Sequence, residues 1–67
     1  MMVAKLRQIR KARGMTQDQL AKATGINRVT IAKYETMKID PRLEQAERLA
    51  AALGVTVNEL INGELAS

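Results

Sequence analysis

The 67 residues are enough for one domain, and a chain of this size buries only about 60% of the surface that its unfolded form exposes. It has no cysteine and no histidine, a formal net charge of +4 and a single aromatic residue, Tyr34. This composition excludes disulfides, the usual zinc sites and thiol or imidazole catalysis. It also argues against a platform that stacks single-stranded nucleic acid. We therefore expect a binding protein without a cofactor or a metal, and not an enzyme.

The charge is distributed unevenly along the chain. Residues 1–38 carry nine Lys or Arg residues against two acidic ones, whereas residues 39–67 carry two against five. This asymmetry is typical of a protein with a basic face for a polyanion and an acidic half that stays out of contact. A solvated surface without a ligand fits the charge alone equally well.

No segment of the sequence predicts a membrane span or export. The chain lacks a run of 18 consecutive apolar residues, which is about the length that a transmembrane helix needs. Residues 1–7 also lack the apolar stretch of a signal peptide. We expect a cytoplasmic protein.

The first two predicted helices lie on either side of Gly14. Apolar residues at helical spacing predict a helix over residues 3–13. Thr16 and Gln19 then form the pattern of a capping box, in which the threonine hydroxyl accepts the backbone amide of the glutamine and the glutamine side chain returns to the threonine amide. The second helix is therefore expected over residues 17–24.

A third helix follows almost immediately. Gly25 suits the left-handed conformation that ends a helix, and Asn27 is a good N-cap for a helix over residues 28–35. Only Gly25-Ile26-Asn27 is left between the two helices. Two short helices joined by a three-residue turn with glycine form a helix-turn-helix.

Two further helices are predicted in the second half of the chain. Asp40 and Pro41 pair an N-cap with the first helical position, where proline is favoured, and predict a helix over residues 41–53. Residues 56–59 form a second capping box, which predicts a last helix over residues 57–62 before a glycine. The apolar stripe of the longer helix consists of Leu43, Ala46, Leu49, Ala50 and Leu53.

The segment from Leu6 to Leu60 resembles the phage repressor and Cro family of helix-turn-helix DNA-binding domains, also called the XRE type. The resemblance implies a compact all-α fold of five helices, like the lambda repressor domain, and binding of double-stranded DNA. The matching segments are Arg10-Lys11-Ala12-Arg13-Gly14-Met15-Thr16-Gln17, Leu20-Ala21, Gly25-Ile26, Ile31-Ala32-Lys33-Tyr34-Glu35 and Leu49-Ala50-Ala51-Ala52-Leu53-Gly54-Val55.

The chain departs from this family after the third helix. Members often have a glycine shortly after the glutamate that matches Glu35, whereas this chain reads Thr36-Met37-Lys38. The resemblance also implies a partly buried structural ion pair between Arg10 and Glu35, linking the first helix to the third. In the competing interpretation Arg10 contacts a phosphate and Glu35 is a solvated helix end.

The third helix has the residues that a reader of base pairs requires. With Ile31 and Tyr34 turned to the core, helical geometry places five residues on or beside the outer face. Arginine and lysine donate to guanine, while valine and alanine fit against a thymine methyl group. Ordinary solvent-exposed charge is the alternative for the two cations. The predicted base contacts are Arg28, Val29, Ala32 and Lys33, with Thr36 beside them.

A second set of residues is predicted to contact phosphates. Gln17 begins the second helix, where free backbone amides face an anion, and the family often uses a matching glutamine in this way. A simple first-turn residue is its alternative role. Asn27 is expected to cap the third helix and to touch a phosphate. Three weaker candidates rest on the basic balance and the resemblance: Thr30, Lys38 and Arg42.

The function expected from these features is a sequence-specific transcriptional regulator of double-stranded DNA, acting as a repressor that occupies an operator. Such proteins usually bind as two-fold dimers, and we expect a homodimer. An apolar patch around the last helix is one candidate surface for it. The alternative is an antitoxin or other protein-interaction module, with a protein partner and autoregulatory DNA binding. The residues of the patch are Val57, Leu60, Ile61 and Leu65.

Overall fold

A computed structural model describes residues 1–63, and within this range every regular element is an α-helix. The expected all-α fold with five helices is therefore confirmed. None of these helices has the length and apolar character to cross a bilayer. In chain order they are α1 (Leu6–Ala12), α2 (Gln17–Thr24), α3 (Arg28–Glu35), α4 (Leu43–Leu53) and α5 (Val57–Asn62).

Each helix contributes one aliphatic side chain without solvent exposure to a shared core. Burial of such a side chain stabilises the fold by roughly 1.5–3 kcal/mol, and helices this short are not stable alone. The five helices are thus held against one another by this core. The five side chains are Leu6, Leu20, Ile31, Leu49 and Leu60.

The first helix begins later than the apolar spacing predicts. Val3 is buried, but it lies before the helix and is followed by a turn at residues 4–5. Helix α1 begins at Leu6 rather than at residue 3. The reason is a tertiary hydrogen bond, because the backbone N–H of Lys5 donates to the carbonyl of Leu60 at 2.9 Å. Apolar spacing alone does not distinguish a helical turn from a non-helical approach to the same core.

The prediction that α4 begins at Pro41 with Asp40 as its cap is also wrong. The helix begins at Leu43, and the N-cap is Arg42, whose side chain makes no capping bond. The Asp40 carboxylate instead accepts the ammonium of Met1 at 3.1 Å. Leu43, expected on the buried stripe, is 57% exposed because it lies in the first turn, beyond the edge of the core.

Both predicted capping boxes form. Thr16 accepts the amide of Gln19 at 3.0 Å and its own amide donates to the Gln19 side chain at 2.8 Å. Thr56 and Glu59 make the same two bonds at 3.1 and 2.9 Å. These bonds satisfy amides at the start of α2 and α5 that have no partner within the helix.

The loop after α3 leaves the helix through a left-handed residue that is not glycine. Met37 has φ +59°, its N–H donates to the carbonyl of Tyr34 at 3.1 Å, and the next N–H, from Lys38, donates to Lys33 at 2.9 Å. These two bonds define a Schellman motif. The departure from the family pattern therefore leaves the motif intact, but places a methionine where glycine fits without strain.

Replacing this methionine by glycine is expected to stabilise the protein. Left-handed backbone costs an L-residue roughly 1–2 kcal/mol, and the greater freedom of unfolded glycine offsets about half of that cost. Met37→Gly should raise the free energy of unfolding by up to about 1 kcal/mol, measured by urea titration with circular dichroism.

Lys38→Gly is the matched control for this substitution. Lys38 is the neighbouring exposed residue, and φ is not positive there. The control should destabilise the protein slightly, because it adds only unfolded-state freedom. Equal destabilisation by both substitutions would contradict the assignment of strain to Met37.

Candidate nucleic-acid interface

The turn between α2 and α3 is fixed by its backbone. Gly25 takes φ +74° and donates its N–H to the carbonyl of Ala21 at 2.8 Å, which ends α2. Ile26 then enters the core, and the Asn27 side chain accepts the amide of Val29 at 2.7 Å to begin α3. Three residues thus join the two helices while leaving the end of α2 and the start of α3 capped.

Thr24 is a structural residue of this turn that the sequence analysis missed. Its buried hydroxyl donates to the carbonyl of Leu20 at 2.8 Å and accepts the backbone N–H of Ile26 at 3.2 Å. The backbone amide of Ile26, the turn residue whose side chain enters the core, therefore has a hydrogen-bond partner. A threonine in the last turn of a helix is a recognisable signal for such bonding to its own backbone.

The outward face of α3 lies where helical geometry predicts it. Ile31 and Tyr34 are buried, whereas Val29 is 53% exposed. A valine exposed to this extent contributes little to the core, so its apolar surface is available to a partner. Four other residues are expected on this face. Ala32 is half-buried, and the other three, Arg28, Lys33 and Thr36, are exposed.

The inner face of α3 is attached to α4 by a polar contact. The buried hydroxyl of Tyr34 donates a short hydrogen bond to the Oε1 atom of Gln45. Burial raises the pKa of Tyr34 above its ordinary value, although the nearby charge of Arg42 opposes the shift. The hydroxyl therefore keeps its proton and serves as the donor over the whole neutral range.

Arg10 and Glu35 form a bidentate ion pair between α1 and α3. Nε of Arg10 lies 2.6 Å from Oε2 of Glu35, and Nη2 lies 3.0 Å from Oε1. The two side chains are 9% and 2% exposed. The third nitrogen of the guanidinium donates to the carbonyl of Met15 at 2.8 Å. The hydrogen bond to Glu35 raises the pKa of Arg10 against the opposite effect of burial, so the guanidinium stays charged.

The first turn of α2 contacts both ends of α3. Nε2 of Gln17 donates to Oε1 of Glu35, the last residue of α3, at 3.1 Å. The carboxylate of Asp18 lies 3.3 Å from Nε of Arg28, the first residue of α3. Sequence reasoning missed the contact between Asp18 and Arg28. The signal was a carboxylate in the first turn of α2 followed by an arginine in the first turn of α3.

Several candidate residues line one open cleft of about 520 Å³ beside the α1–α2 turn. Gln17 and Arg28 are among its lining residues, together with Lys11, whereas Lys38 and Arg42 are not. Those two lie exposed in the loop after α3 and at the start of α4. The structure thus separates the phosphate candidates into two groups, one at the helix starts and one beyond the end of α3. Two candidates complete the first group: Asn27, which is exposed, and Thr30, which is half-buried.

The apolar patch expected around α5 is smaller than the sequence suggests. Leu60 has no solvent exposure because it belongs to the core, so a partner cannot contact it. Val57 packs partly against the core, and both it and Ile61 are half-buried. Leu65 lies outside the described residues. Residues 1–63 also bring together no group of acidic side chains that could hold a metal ion.

Two short helices joined by a glycine turn, the second with one uncovered face, define a helix-turn-helix domain. The sequence profile of the helix-turn-helix family matches residues 6–60, and the chain belongs to this family. The resemblance to phage repressor domains that the sequence suggested is confirmed, because similar proteins include a phage repressor.

Two proteins with similar sequences place this family membership in context. The transcriptional activator BcrR of Enterococcus faecalis is 37% identical over 60 residues, which cover 90% of this chain and 29% of BcrR. The cryptic phage CTXphi transcriptional repressor RstR of Vibrio cholerae is 34% identical over 62 residues, covering 92% of this chain and 56% of RstR. The chain thus spans less than two thirds of either relative.

The fold is also similar to a solved structure, that of the P22 c2 repressor protein in complex with a synthetic operator. The TM-score is 0.84 at 28% sequence identity, and the match covers 96% of this chain and 97% of the repressor chain. The agreement in fold therefore extends over nearly all of both chains.

Breaking the buried ion pair should destabilise the protein strongly. Glu35→Ala leaves the charge of Arg10 without a partner, which costs about 3–5 kcal/mol. The double variant Arg10→Met, Glu35→Leu removes both charges and should recover most of that loss. Urea denaturation of the single and double variants measures the difference.

The exposed pair of Glu44 and Arg48 provides the control. Its atoms are 2.8 Å apart and its side chains are 75% and 52% exposed. Glu44→Ala should cost only about 0.3–0.5 kcal/mol, because solvent screens an exposed pair. Equal losses in Glu35→Ala and Glu44→Ala would show that burial does not make the Arg10–Glu35 pair important.

Proposed function

We propose that this protein is a sequence-specific regulator of transcription that binds double-stranded DNA and reads the major groove with α3. The observation that carries the proposal is the exposed outer face of α3, fixed at both ends to the first turn of α2. The relative with the matching fold is a repressor bound to a synthetic operator. By analogy, the protein acts as a repressor that occupies an operator.

Four residues of α3 are assigned to the bases. Arg28 donates to the O6 and N7 atoms of a guanine, and Lys33, about 140° away at the other edge of the outer face, donates to a second acceptor. Val29 and Ala32 lie between them and contact thymine methyl groups. The exposed apolar side chain of Val29 supports this assignment, since solvent offers it no favourable contact.

Five residues are assigned to phosphates. The amide nitrogen of Gln17 has two hydrogens, and the bond to Glu35 uses only one. The second N–H is left for a phosphate, beside the free amides at the start of α2. Asn27 and Thr30 serve the start of α3, while Lys38 and Arg42 attract the backbone beyond its end.

Binding as a homodimer is part of the proposal. The eight residues of α3 span about 12 Å, which is too short to read a complete operator. Two copies with their reading helices about 34 Å apart contact successive major grooves on one side of the duplex. The half-buried side chains of Val57 and Ile61 are the candidates for contact between the copies.

A regulator is favoured over an antitoxin because the two named relatives are transcription factors. One is named an activator and the other a repressor, so repression is the part of the proposal that rests on the P22 c2 likeness. The proposed work is binding without catalysis or a cofactor. The proposed location of the protein is the cytoplasm, where its duplex ligand lies.

Selection of bound sequences from a random duplex library tests the proposal directly. A single enriched motif is expected, formed as a palindrome with half-sites about one helical turn apart. A motif without symmetry would remove the dimer from the proposal. Failure to enrich any sequence would contradict sequence-specific binding.

Arg28→Ala and Lys38→Ala should have different effects on the selected duplex. The first removes a base contact and should reduce discrimination between selected and random duplexes by about 1–3 kcal/mol. The second removes a phosphate contact, so it should weaken binding to all sequences equally and flatten the salt dependence by about one unit. Fluorescence anisotropy over a salt series measures both effects.

Each variant is the other's control, because each removes one positive charge. Equal loss of affinity for both duplexes in Arg28→Ala would show that Arg28 does not read bases. A salt slope identical to that of the unaltered protein would remove Lys38 from the phosphate contacts.

A further inference from the structure

The basic half of the chain exposes one acidic side chain, and it lies next to the proposed base reader. Residues 1–38 contain two acids, of which Glu35 is buried in its ion pair. The other, Asp18, is 73% exposed, and its Oδ1 atom lies 3.3 Å from Nε of Arg28. A carboxylate on a surface assigned to a polyanion weakens binding through its charge, whatever else it does.

The contact leaves the reading atoms of the arginine available. The closest approach of Asp18 is to Nε, at the base of the guanidinium. The guanidinium of Arg28 makes no hydrogen bond with any residue that the structure describes. Its terminal Nη groups, which form the fork that fits guanine O6 and N7, are therefore free to meet a base while Nε faces the carboxylate.

The carboxylate also distinguishes the two kinds of acceptor that an arginine meets on DNA. A phosphate is an anion and is repelled by Asp18, whereas the edge of guanine is neutral and is not repelled. Water screens this effect in the free protein, where exposed ion pairs contribute little. At a closed interface the effective dielectric falls, and both the repulsion and the attraction to Arg28 become stronger.

We propose that Asp18 is a positioning residue that makes Arg28 a reader of guanine rather than an anchor for phosphate. The proposal deepens the assignment of Arg28 and rests on the proposed function. In it, α2 contributes to sequence discrimination without touching a base. Asp18 lowers affinity for every duplex through its charge, but lowers it most where Arg28 would bind a phosphate.

Asp18→Asn tests the proposal because it removes the charge and keeps the shape of the side chain. Affinities for the selected duplex and for a random-sequence duplex are measured over a salt series. Affinity for the random duplex should rise about 3- to 10-fold, and its salt slope should steepen by up to about one unit. Affinity for the selected duplex should rise less, so that the ratio of the two affinities falls about 2- to 5-fold.

Glu47→Gln is the matched control, since it makes the same change of charge at an exposed position on α4. The ratio should be unchanged in this variant. In the background of Arg28→Ala, Asp18→Asn should also leave the ratio unchanged, because the side chain that it positions is absent. Circular dichroism of each variant confirms that differences in affinity are measured on folded protein.

The outcomes separate this proposal from the proposed function. An unaltered ratio in Asp18→Asn, with clear discrimination by the parent protein, would overturn the role of Asp18 alone. A fall of the ratio in Asp18→Asn that persists in the Arg28→Ala background would overturn it as well. Absence of discrimination by the parent protein would overturn the proposed function, and the role of Asp18 with it.

Discussion

The buried ion pair of Arg10 and Glu35 is the interaction on which the position of α3 depends. It joins α1 to the last residue of α3, while the same guanidinium holds the carbonyl of Met15 before α2. Gln17 completes the cluster by donating to Glu35. A buried pair adds little stability compared with apolar side chains, so its value here lies in geometry. The three helices are joined at Glu35, whose carboxylate accepts from both Arg10 and Gln17.

Contacts on one side of α3 explain how so small a protein can leave the other face of this helix uncovered. An isolated eight-residue helix is not stable in water, and α3 keeps its form through Ile31 in the core, Tyr34 bonded to α4 and Asn27 at its start. All three contacts lie on the inner face or at the end. The exposed side chains of the outer face, such as Val29, therefore contribute little to the core.

Local signals predicted the elements that position the site, and tertiary contacts account for what they did not predict. The capping box at Thr16 and the turn at Gly25 depend on neighbours in sequence, so α2 and α3 have the expected bounds. The start of α1 depends on a bond from Lys5 to α5, which spacing along the chain does not reveal. Asp40 is likewise a good cap by residue type, yet its carboxylate binds elsewhere.

The distinction between local sequence signals and tertiary contacts also holds within the candidate interface. The outward residues of α3 follow from helical periodicity once Ile31 and Tyr34 are placed inside. The contact between Asp18 and Arg28 joins two helices whose crossing no local pattern specifies. Only the packing of the α2 start against α3 reveals it. Leu60 shows the reverse case, because apolar character alone does not separate a core residue from one at an interface.

Amide chemical-shift mapping of the labelled protein, titrated with its selected duplex, shows which helices meet the DNA. If α3 reads the duplex, the largest changes occur at the start of α2 and along α3, over residues 16–18 and 27–33. Largest changes in α4 and α5, with α3 unaffected, would contradict it, because the duplex would then lie against the acidic half of the chain.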